Sequence, residues 1–427
     1  MRPIPSVPGT NDVLPAQSAA WQWLLETHAR VAQAHGYQLI DTPVIEYTEL
    51  FERGIGTGTD VVAKEMYTFA DRGGRSLTLR PEGTAGVLRA CLASGLVQER
   101  RPVRVRYEGP MFRGERPQKG RYRQFSQVGV ECIGEAAAAL DAEVIEMGWR
   151  FIEALGLSGV SLQVNTLGDS DDRARYRAAL LAYFTPIRDQ LCDDCRRRLD
   201  TNPMRILDCK RDAALTAGAP DITASLSEPS VQSFGAVLAH LDDARIPYAV
   251  NRRLVRGLDY YAHTAFELWH TSLEGAQNAL GGGGRYDGLA ELLGFAATPG
   301  VGYAFGVERL LIIADQLGTA PVAAPAADAV VCSLNENEAA YAAAVARSLR
   351  DHGLTTVLDA GSRRIDRKLR AADRLGAVAC LIVGPDEAGD GSVQVKDLRS
   401  GAQERHPLAV AADAVRRLLA GEAEPVA

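Results

Sequence analysis

Apolar and polar positions along this chain repeat with two periods, and the switches between those periods divide it. Residues 16–35 (AQSAAWQWLLETHARVAQAH) place apolar side chains at helical spacing and stop at Gly36, which predicts a helix. YQLIDTPVIEY reads as extended, with Pro43 at an edge or bulge because proline cannot donate to a ladder. RSLTLRPEGT predicts a short strand ending at Pro81, then a helix from about Thr84 to Ala93. Val103 to Phe112 and Tyr122 to Ile133 both have strand character, and the polar, glycine-containing stretch 113–121 joins them as a hairpin. A helix from about Ala136 to Leu155 and a strand, SLQVNTLG, follow.

Residues 169–250 change character: charged helical patterns such as DSDDRARYRAALLAYF dominate, which predicts a mostly helical insertion. Strand patterns return in LVRGLDYYAHTAFELWH at 254–270. GGGG at 281–284 precedes RYDG; such a run is ordinarily a flexible loop, and its second reading is close backbone approach to a ligand. TPGVGYAFGVERLLIIADQLG runs from strand or turn into an apolar helix. GTAPVAAPAAD at 318–328 is Ala/Pro-rich and nearly chargeless, the composition of a linker. Beyond it strands (DAVVCSL, TTVLDA, VACLIVG, SVQVKDL) alternate with helices (336–352, SRRIDRKLRAADRLG, 407–420), which predicts a small α/β domain over 329–427.

Composition narrows the picture. At 427 residues the chain exceeds one ordinary domain, and 46% apolar with 24% charged residues is ordinary for a soluble globular protein. No stretch approaches the ~18 uninterrupted apolar residues of a membrane span. MRPIPSVPGTNDVLP lacks the apolar core of a signal peptide, so the default location is cytoplasmic. The net charge of −7 argues against indiscriminate nucleic-acid binding. Yet Arg100 to Arg123 holds nine Lys/Arg against two acids, Glu108 and Glu115, and reverses that sign locally.

Seven cysteines, an odd number in a long chain, do not suggest a disulfide framework. Cys192, Cys195 and Cys209 form a trio, but a structural metal site wants four ligands and the nearest histidine, His240, is about 30 residues on. They are read as small buried or idle thiols, and no metal ligands are assigned.

The hairpin carries the candidate chemistry. Side chains on a strand alternate faces, so Arg123, Phe125, Gln127, Gly129 and Glu131 share one. A cation, a ring, an amide and a carboxylate make a poor core and a workable site floor. Guanidinium groups make bidentate contacts to phosphate, and Phe125 can stack beneath a planar base. The competing reading is an exposed, salt-bridged hairpin, which charge counts alone favour. No G-x-x-x-x-G-K-[ST] occurs, so this is not a P-loop protein. GGGGRYDG lacks the spacing of a dinucleotide fingerprint.

Several segments together resemble a known family. FRGERPQKGRYRQF, running into SQVGVE, resembles motif 2 of the class II aminoacyl-tRNA synthetases, GVGYAFGVERLL resembles motif 3, and the helix before TPVIEY resembles motif 1. LVRGLDYYAHTAFE and GGGGRYDGL resemble signatures of the histidyl-tRNA synthetases, and GTNDVLP and TLRPEGTAG fit the same family. The resemblance spans essentially the whole chain, in order. It implies an α+β fold: a class II antiparallel sheet flanked by helices over 1–322, interrupted by the helical insertion at about 169–250, with a C-terminal α/β anticodon-binding domain.

The resemblance also implies a reaction. L-Histidine is activated with ATP and Mg²⁺ to histidyl-adenylate with release of pyrophosphate, then transferred to the 3′ end of histidine tRNA by a homodimer built through motif 1. Arg113 and Arg309 would hold ATP phosphates, Phe125 would stack on adenine, and Glu115 and Arg121 would lie near the nucleotide. Arg256 would stand by the α-phosphate and the attacking carboxylate, making it catalytic together with Arg113. Glu82, Thr84 and Gln127 would surround the histidine α-amino group, with Gly83 also in the histidine site. Glu131 and Tyr261 would bracket the imidazole, with Tyr260 and Tyr286 adjoining. Arg116 and Gln118 would touch the tRNA acceptor end. The helix at 362–374, with six Lys/Arg, is either a solvated face or a phosphate-facing surface near the anticodon.

Taken singly, these residues have plainer readings. Glu82 could cap the following helix, Tyr260 and Tyr261 could be ordinary strand formers, and Glu131 could be a paired structural acid. The rival to the whole is a catalytically silent relative, the regulatory subunit of ATP phosphoribosyltransferase. Such relatives typically erode the signature arginine and lack the anticodon domain, whereas this chain keeps Arg113, Arg256, Arg309 and a C-terminal α/β domain. A plain RNA-binding protein is a third reading, opposed by the net acidity and by Gln127 and Glu131.

Overall fold

The computed structural model describes residues 3–56, 59–272, 278–361 and 363–421. The chain divides into two compact units, Met1–Val322 and Ala323–Ala427, and residues 319–328 carry neither helix nor strand.

The first unit is built on an eight-stranded sheet. Its order is Gln38–Leu39, Val103–Phe112, Gln124–Ile133, Gly300–Gly306, Ala279–Arg285, Ala262–His270, Val160–Thr166 and Tyr248–Val250. The interior pairs are antiparallel, and only the two edge strands run parallel to their neighbours. The hairpin is in register from Val103 opposite Ile133 to Phe112 opposite Gln124. Its alternation sorts the faces. Val128, Val130 and Cys132 bury against the helices Pro15–Ala34 and Ala138–Ala154. Tyr107 and the glycine-lined backbone opposite it turn to the other face, which a second core covers from the helix Thr84–Ala93.

The glycine run is not a loop. Gly281–Gly284 lie inside the strand Ala279–Arg285, paired on both sides. A β-carbon at 282 would come within 2.7 Å of Arg256 Nη1 and would overlap the Phe266 carbonyl. Low strand propensity is tolerated because a bare backbone is what fits beneath Arg256. The arginine that follows, Arg285, is fully buried and spans Asp141 on the helix Ala138–Ala154, with Nε to Oδ2 at 3.0 Å, and Asp287 at 3.0 Å.

The segment read as an insertion contains two different things. Helices Ser170–Phe184 and Asp193–Thr201 pack through Tyr176, Leu180, Phe184 and Leu199 into the core on the hairpin's Tyr107 side. Helix Glu228–Asp243 instead packs through Phe234, Val237 and Leu241 in the opposite core, and Tyr248–Val250 extends the main sheet. A small three-stranded sheet, Ile45–Tyr47, Ser76–Leu79 and Tyr67–Ala70, stands beside the helix Thr48–Ile55.

The second unit is a five-stranded sheet in the order Thr356–Asp359, Ala329–Ser333, Ala379–Val383, Ser392–Asp397, Gln403–Pro407, the first three parallel. The strand Gln403–Pro407 and the helix Pro385–Asp390 go beyond the sequence reading, since QERHP is a polar edge with no apolar period. The basic helix also needs correction. Lys368 is only 2% exposed and donates to the carbonyls of Ser333 (2.8 Å) and Asp359 (3.2 Å), so it faces no phosphate. Arg363 pairs with Asp359, which leaves Arg364, Arg367, Arg370 and Arg374 on the exposed face.

Candidate active site

A cleft of about 280 Å³ opens on the hairpin face that carries Gln127. Side chains from separate stretches wall it, over the backbone of Ala279–Gly282. The hairpin gives Arg113, Glu115, Arg121, Phe125 and Gln127; the start of helix Thr84–Ala93 gives Glu82 and Thr84. The segment before Ala262–His270 gives Arg256, Tyr260 and Tyr261, and the helix Val307–Leu317 gives Arg309. The three arginines expected to act together therefore line one cavity.

Each is aimed by backbone or acid. Arg113 Nε donates to the Pro81 carbonyl at 3.0 Å, and its guanidinium lies 5.1 Å from the centre of the Phe125 ring. Arg309 donates to the carbonyls of Gly120 (2.9 Å) and Ala279 (2.7 Å). Arg256 pairs with Glu267 and lies 5.3 Å from the centre of the Tyr261 ring; the second oxygen of Glu267 takes the Trp269 indole N–H at 2.7 Å. Glu115 pairs with Arg121. Burial, then the charges of Arg121 and Arg113, depress the pKa of Arg309. Guanidinium remains charged regardless, so the cleft gathers like charges at a cost that an incoming polyanion relieves.

Behind the cleft lies a group of buried polar side chains. Glu131 is fully buried and accepts the Tyr286 hydroxyl on Oε2 at 2.6 Å. Burial pushes the Glu131 carboxyl up to about 8, against the pull of the Tyr286 hydroxyl. Among the described residues, Tyr107 Oη, Gln127 Oε1, Glu131 Oε1 and Arg256 Nε are buried without a hydrogen-bond partner. Folded proteins rarely leave such groups unpaired. Two of them, on Gln127 and Arg256, line the cleft and mark where a polar ligand would be held.

Some expected residues do double duty or stand back. Glu82 caps its helix, accepting from Thr84 N (2.7 Å) and Ala85 N (2.9 Å), while Oε2 lies 3.5 Å from the Tyr260 hydroxyl. Tyr260 and Tyr261 precede the strand rather than alternate within it; both are buried, ring centres 4.6 Å apart. Gly83 and Tyr286 do not line the cleft: Gly83 is pressed under the Tyr107 ring, and Tyr286 backs Glu131. Arg116 and Gln118 are exposed on the hairpin loop, next to Gly120 and Arg121 at the cleft.

Three residues escaped the sequence reading. Tyr107 lies directly opposite Gly129, and its ring occupies the space that the glycine leaves. The hairpin register alone could have paired them. Glu267 follows Arg256 by eleven residues, between Phe266 and Leu268 on the strand Ala262–His270. Glu308 stands beside Arg309 and accepts Ser126 N–H at 2.8 Å; burial lifts its carboxyl to about 7.

Comparison with known proteins decides the family. The sequence model of the family described as Histidyl-tRNA synthetase matches residues 9–168 and 203–310. The chain belongs to the histidyl-tRNA synthetase family. A second family, described as Anticodon binding domain, matches residues 328–418. A histidine–tRNA ligase of Synechocystis sp. is 47% identical over 406 residues, covering 95% of this chain and 90% of its own. One from Halothermothrix orenii is 44% identical over 413 residues, covering 96% and 98%. The apo histidyl-tRNA synthetase of S. aureus superposes with a TM-score of 0.81 at 36% identity, covering 97% of this chain and 100% of that one. A Bacillus halodurans protein described as an ATP phosphoribosyltransferase regulatory subunit/histidyl-tRNA synthetase shares the fold, at 20% identity and a TM-score of 0.65.

Proposed function

We propose that the cleft joins L-histidine to ATP and passes the activated amino acid to the 3′ end of histidine tRNA, the reaction of a histidine–tRNA ligase. The observation that carries this reading is the convergence of Arg113, Arg256 and Arg309 on one cavity, with the buried Glu131–Tyr286 pair behind it. A carboxylate oxygen of histidine attacks the α-phosphorus of ATP, the bond to the β-phosphate oxygen breaks, and pyrophosphate leaves. Negative charge builds on the α-phosphate, and fixed guanidinium groups stabilise it without reorganising. Arg256 stands by the α-phosphate and the attacking carboxylate; Arg113 and Arg309 hold the phosphates. Phe125 supports the adenine, and Glu115 and Arg121 flank the nucleotide. Glu82, Thr84 and Gln127 receive the α-amino group. The imidazole N–H donates to Glu131 and its other nitrogen accepts from Tyr261, with Tyr260 and Tyr286 adjoining and Gly83 between Glu82 and Thr84 in the histidine site. In the second step a terminal ribose hydroxyl of the tRNA attacks the carbonyl carbon and AMP leaves.

Mg²⁺ fits this site through Glu308, a cleft carboxylate that pairs with no cation among the described residues. The ion would neutralise triphosphate charge. Exposed Arg116 and Gln118 at the cleft rim suit contact with the acceptor end, and the C-terminal unit with its arginine face suits the anticodon. Ile45, Tyr47, Tyr67 and Phe69 expose apolar surface on the small sheet, which supports assembly as a homodimer. No helix among the described residues is long and apolar enough to cross a membrane, in keeping with a cytoplasmic enzyme.

The test is histidine-dependent ATP–pyrophosphate exchange, followed by charging of histidine tRNA. Exchange with histidine alone among the amino acids is expected. A folded chain that supports no exchange would remove the ligase reading.

A further inference from the structure

The helical segment after Val160–Thr166 gathers four side chains that the chemistry above does not use. Cys192 precedes the helix Asp193–Thr201 and Cys195 lies in its first turn; Cys209 and Asp212 lie just before the short helix Ala213–Thr216. The four ligand-type atoms all lie within 4.8 Å of one another. The sequence supplies them as two matched clips, Cys-x-x-Cys and Cys-x-x-Asp, thirteen residues apart. That is the layout of a paired-clip zinc site with aspartate as the fourth ligand. Counting only cysteine and histidine hid it.

We propose that Cys192, Cys195, Cys209 and Asp212 bind one Zn²⁺ as a closed, structural Cys₃Asp site. The Sγ atoms of Cys192 and Cys209 are 3.8 Å apart. Sulfurs about 2.3 Å from a central zinc at the tetrahedral angle stand about 3.8 Å apart. Three thiolates and one carboxylate select zinc over the harder Mg²⁺ or Ca²⁺. The outer shell is present too: Cys192 N–H donates to Asp212 Oδ2 at 3.0 Å, which orients that carboxylate and leaves Oδ1 for the metal. Zinc uptake releases about three protons, one from each thiol.

The site's position gives it a purpose. From the same helix and the turn after it, Arg198 reaches Asp60 (3.3 Å), Asn202 reaches Asp259 (2.8 Å) and Arg205 reaches the Gly257 carbonyl (2.7 Å). Asp259 and Gly257 belong to the segment that carries Arg256, Tyr260 and Tyr261. The metal would staple the start of the helix that braces the cleft wall.

The experiment uses the full chain, purified reduced and without chelator. Elemental analysis is expected to give about one zinc per chain. Exchange for Co²⁺ is expected to give a thiolate-to-cobalt charge-transfer band and tetrahedral ligand-field bands. Cys195→Ser and Cys209→Ser should drop the zinc content to near zero, and chelator should lower the Tm of the parent but not of these variants. If either serine variant fails to fold, Asp212→Cys decides the matter: it should keep the metal and intensify the charge-transfer band. A reduced parent without zinc or a cobalt spectrum, or serine variants that keep a full metal load, would overturn the proposal.

Discussion

Replacing Glu131 by glutamine puts the imidazole assignment at risk with almost no change in shape. In the free protein Oε2 holds the Tyr286 hydroxyl at 2.6 Å and Oε1 is buried without a partner. The glutamine carbonyl must take over the tyrosine hydroxyl, which turns its amide N–H toward the imidazole N–H. Donor then faces donor. The variant forfeits a charge-assisted bond, about 1.5–3 kcal/mol, and leaves buried donors unpaired, about 1–3 kcal/mol more. Together these lower kcat/KM for histidine by about 10²–10⁴-fold. The pH dependence supplies a second signature. With its carboxyl held at about 8, Glu131 offers the imidazole N–H a charged acceptor only after losing its proton. The histidine KM therefore falls as pH rises toward 8, about tenfold per unit at most, and is flat in Glu131→Gln. Stability moves the opposite way. The folded carboxyl titrates above its ordinary 4.5, so its stabilising contribution is complete below about 4.5 and is lost as pH rises through 8. Glu131→Gln should thus gain on the parent in Tm at alkaline pH. The assay is histidine-dependent pyrophosphate exchange from pH 6 to 9, with thermal melts alongside. Histidine kinetics within a few-fold of the parent at every pH would refute the assignment.

Phe125→Ala removes the ring that carries Arg113 and is expected to raise the KM for ATP about tenfold while leaving that for histidine near the parent's, as measured by exchange kinetics. Asp141→Asn breaks a pair whose side chains are only 3% and 2% exposed and leaves Arg285 poorly compensated; a loss of about 3–5 kcal/mol is expected in denaturant melts, with the histidine KM unaffected in the folded fraction. Glu308→Gln is expected to raise the Mg²⁺ concentration needed for half-maximal exchange, with histidine affinity by equilibrium dialysis unchanged.

Much of this was legible from residue pattern. The hairpin announces itself because each strand alternates; its charge reversal alone favours a solvated hairpin, and the polyanion reading comes from the resemblance to motif 2. The long helices show for the same reason: one stripe must be apolar where a helix packs on a sheet, as in Pro15–Ala34 and Ala138–Ala154. Periodicity fails where the local rule yields to a neighbour. Gly281–Gly284 are strand because both neighbouring strands pair with them, and at Gly282 Arg256 takes the room of a side chain, which no local propensity encodes. Lys368 looks like one more surface cation until Ser333 and Asp359 present their carbonyls to it. Glu228–Asp243 shares the helical pattern of the segment before it, yet a different core receives it. The cleft residues were found one stretch at a time. That Arg113, Arg256 and Arg309 share a cavity is a property of the sheet order: Arg113 follows one strand, Arg256 precedes another and Arg309 sits in the helix after a third, far apart in sequence.

The central claim is that these guanidinium groups serve the transition state of adenylation. The most direct measurement is the single-turnover rate of histidyl-adenylate formation in Arg256→Ala beside the parent, together with the Kd for histidine of each. Loss of transition-state charge stabilisation predicts a rate lower by about 10²–10³-fold with histidine affinity within a few-fold. A rate and an affinity that fall by the same factor, or a rate that does not fall, would contradict it.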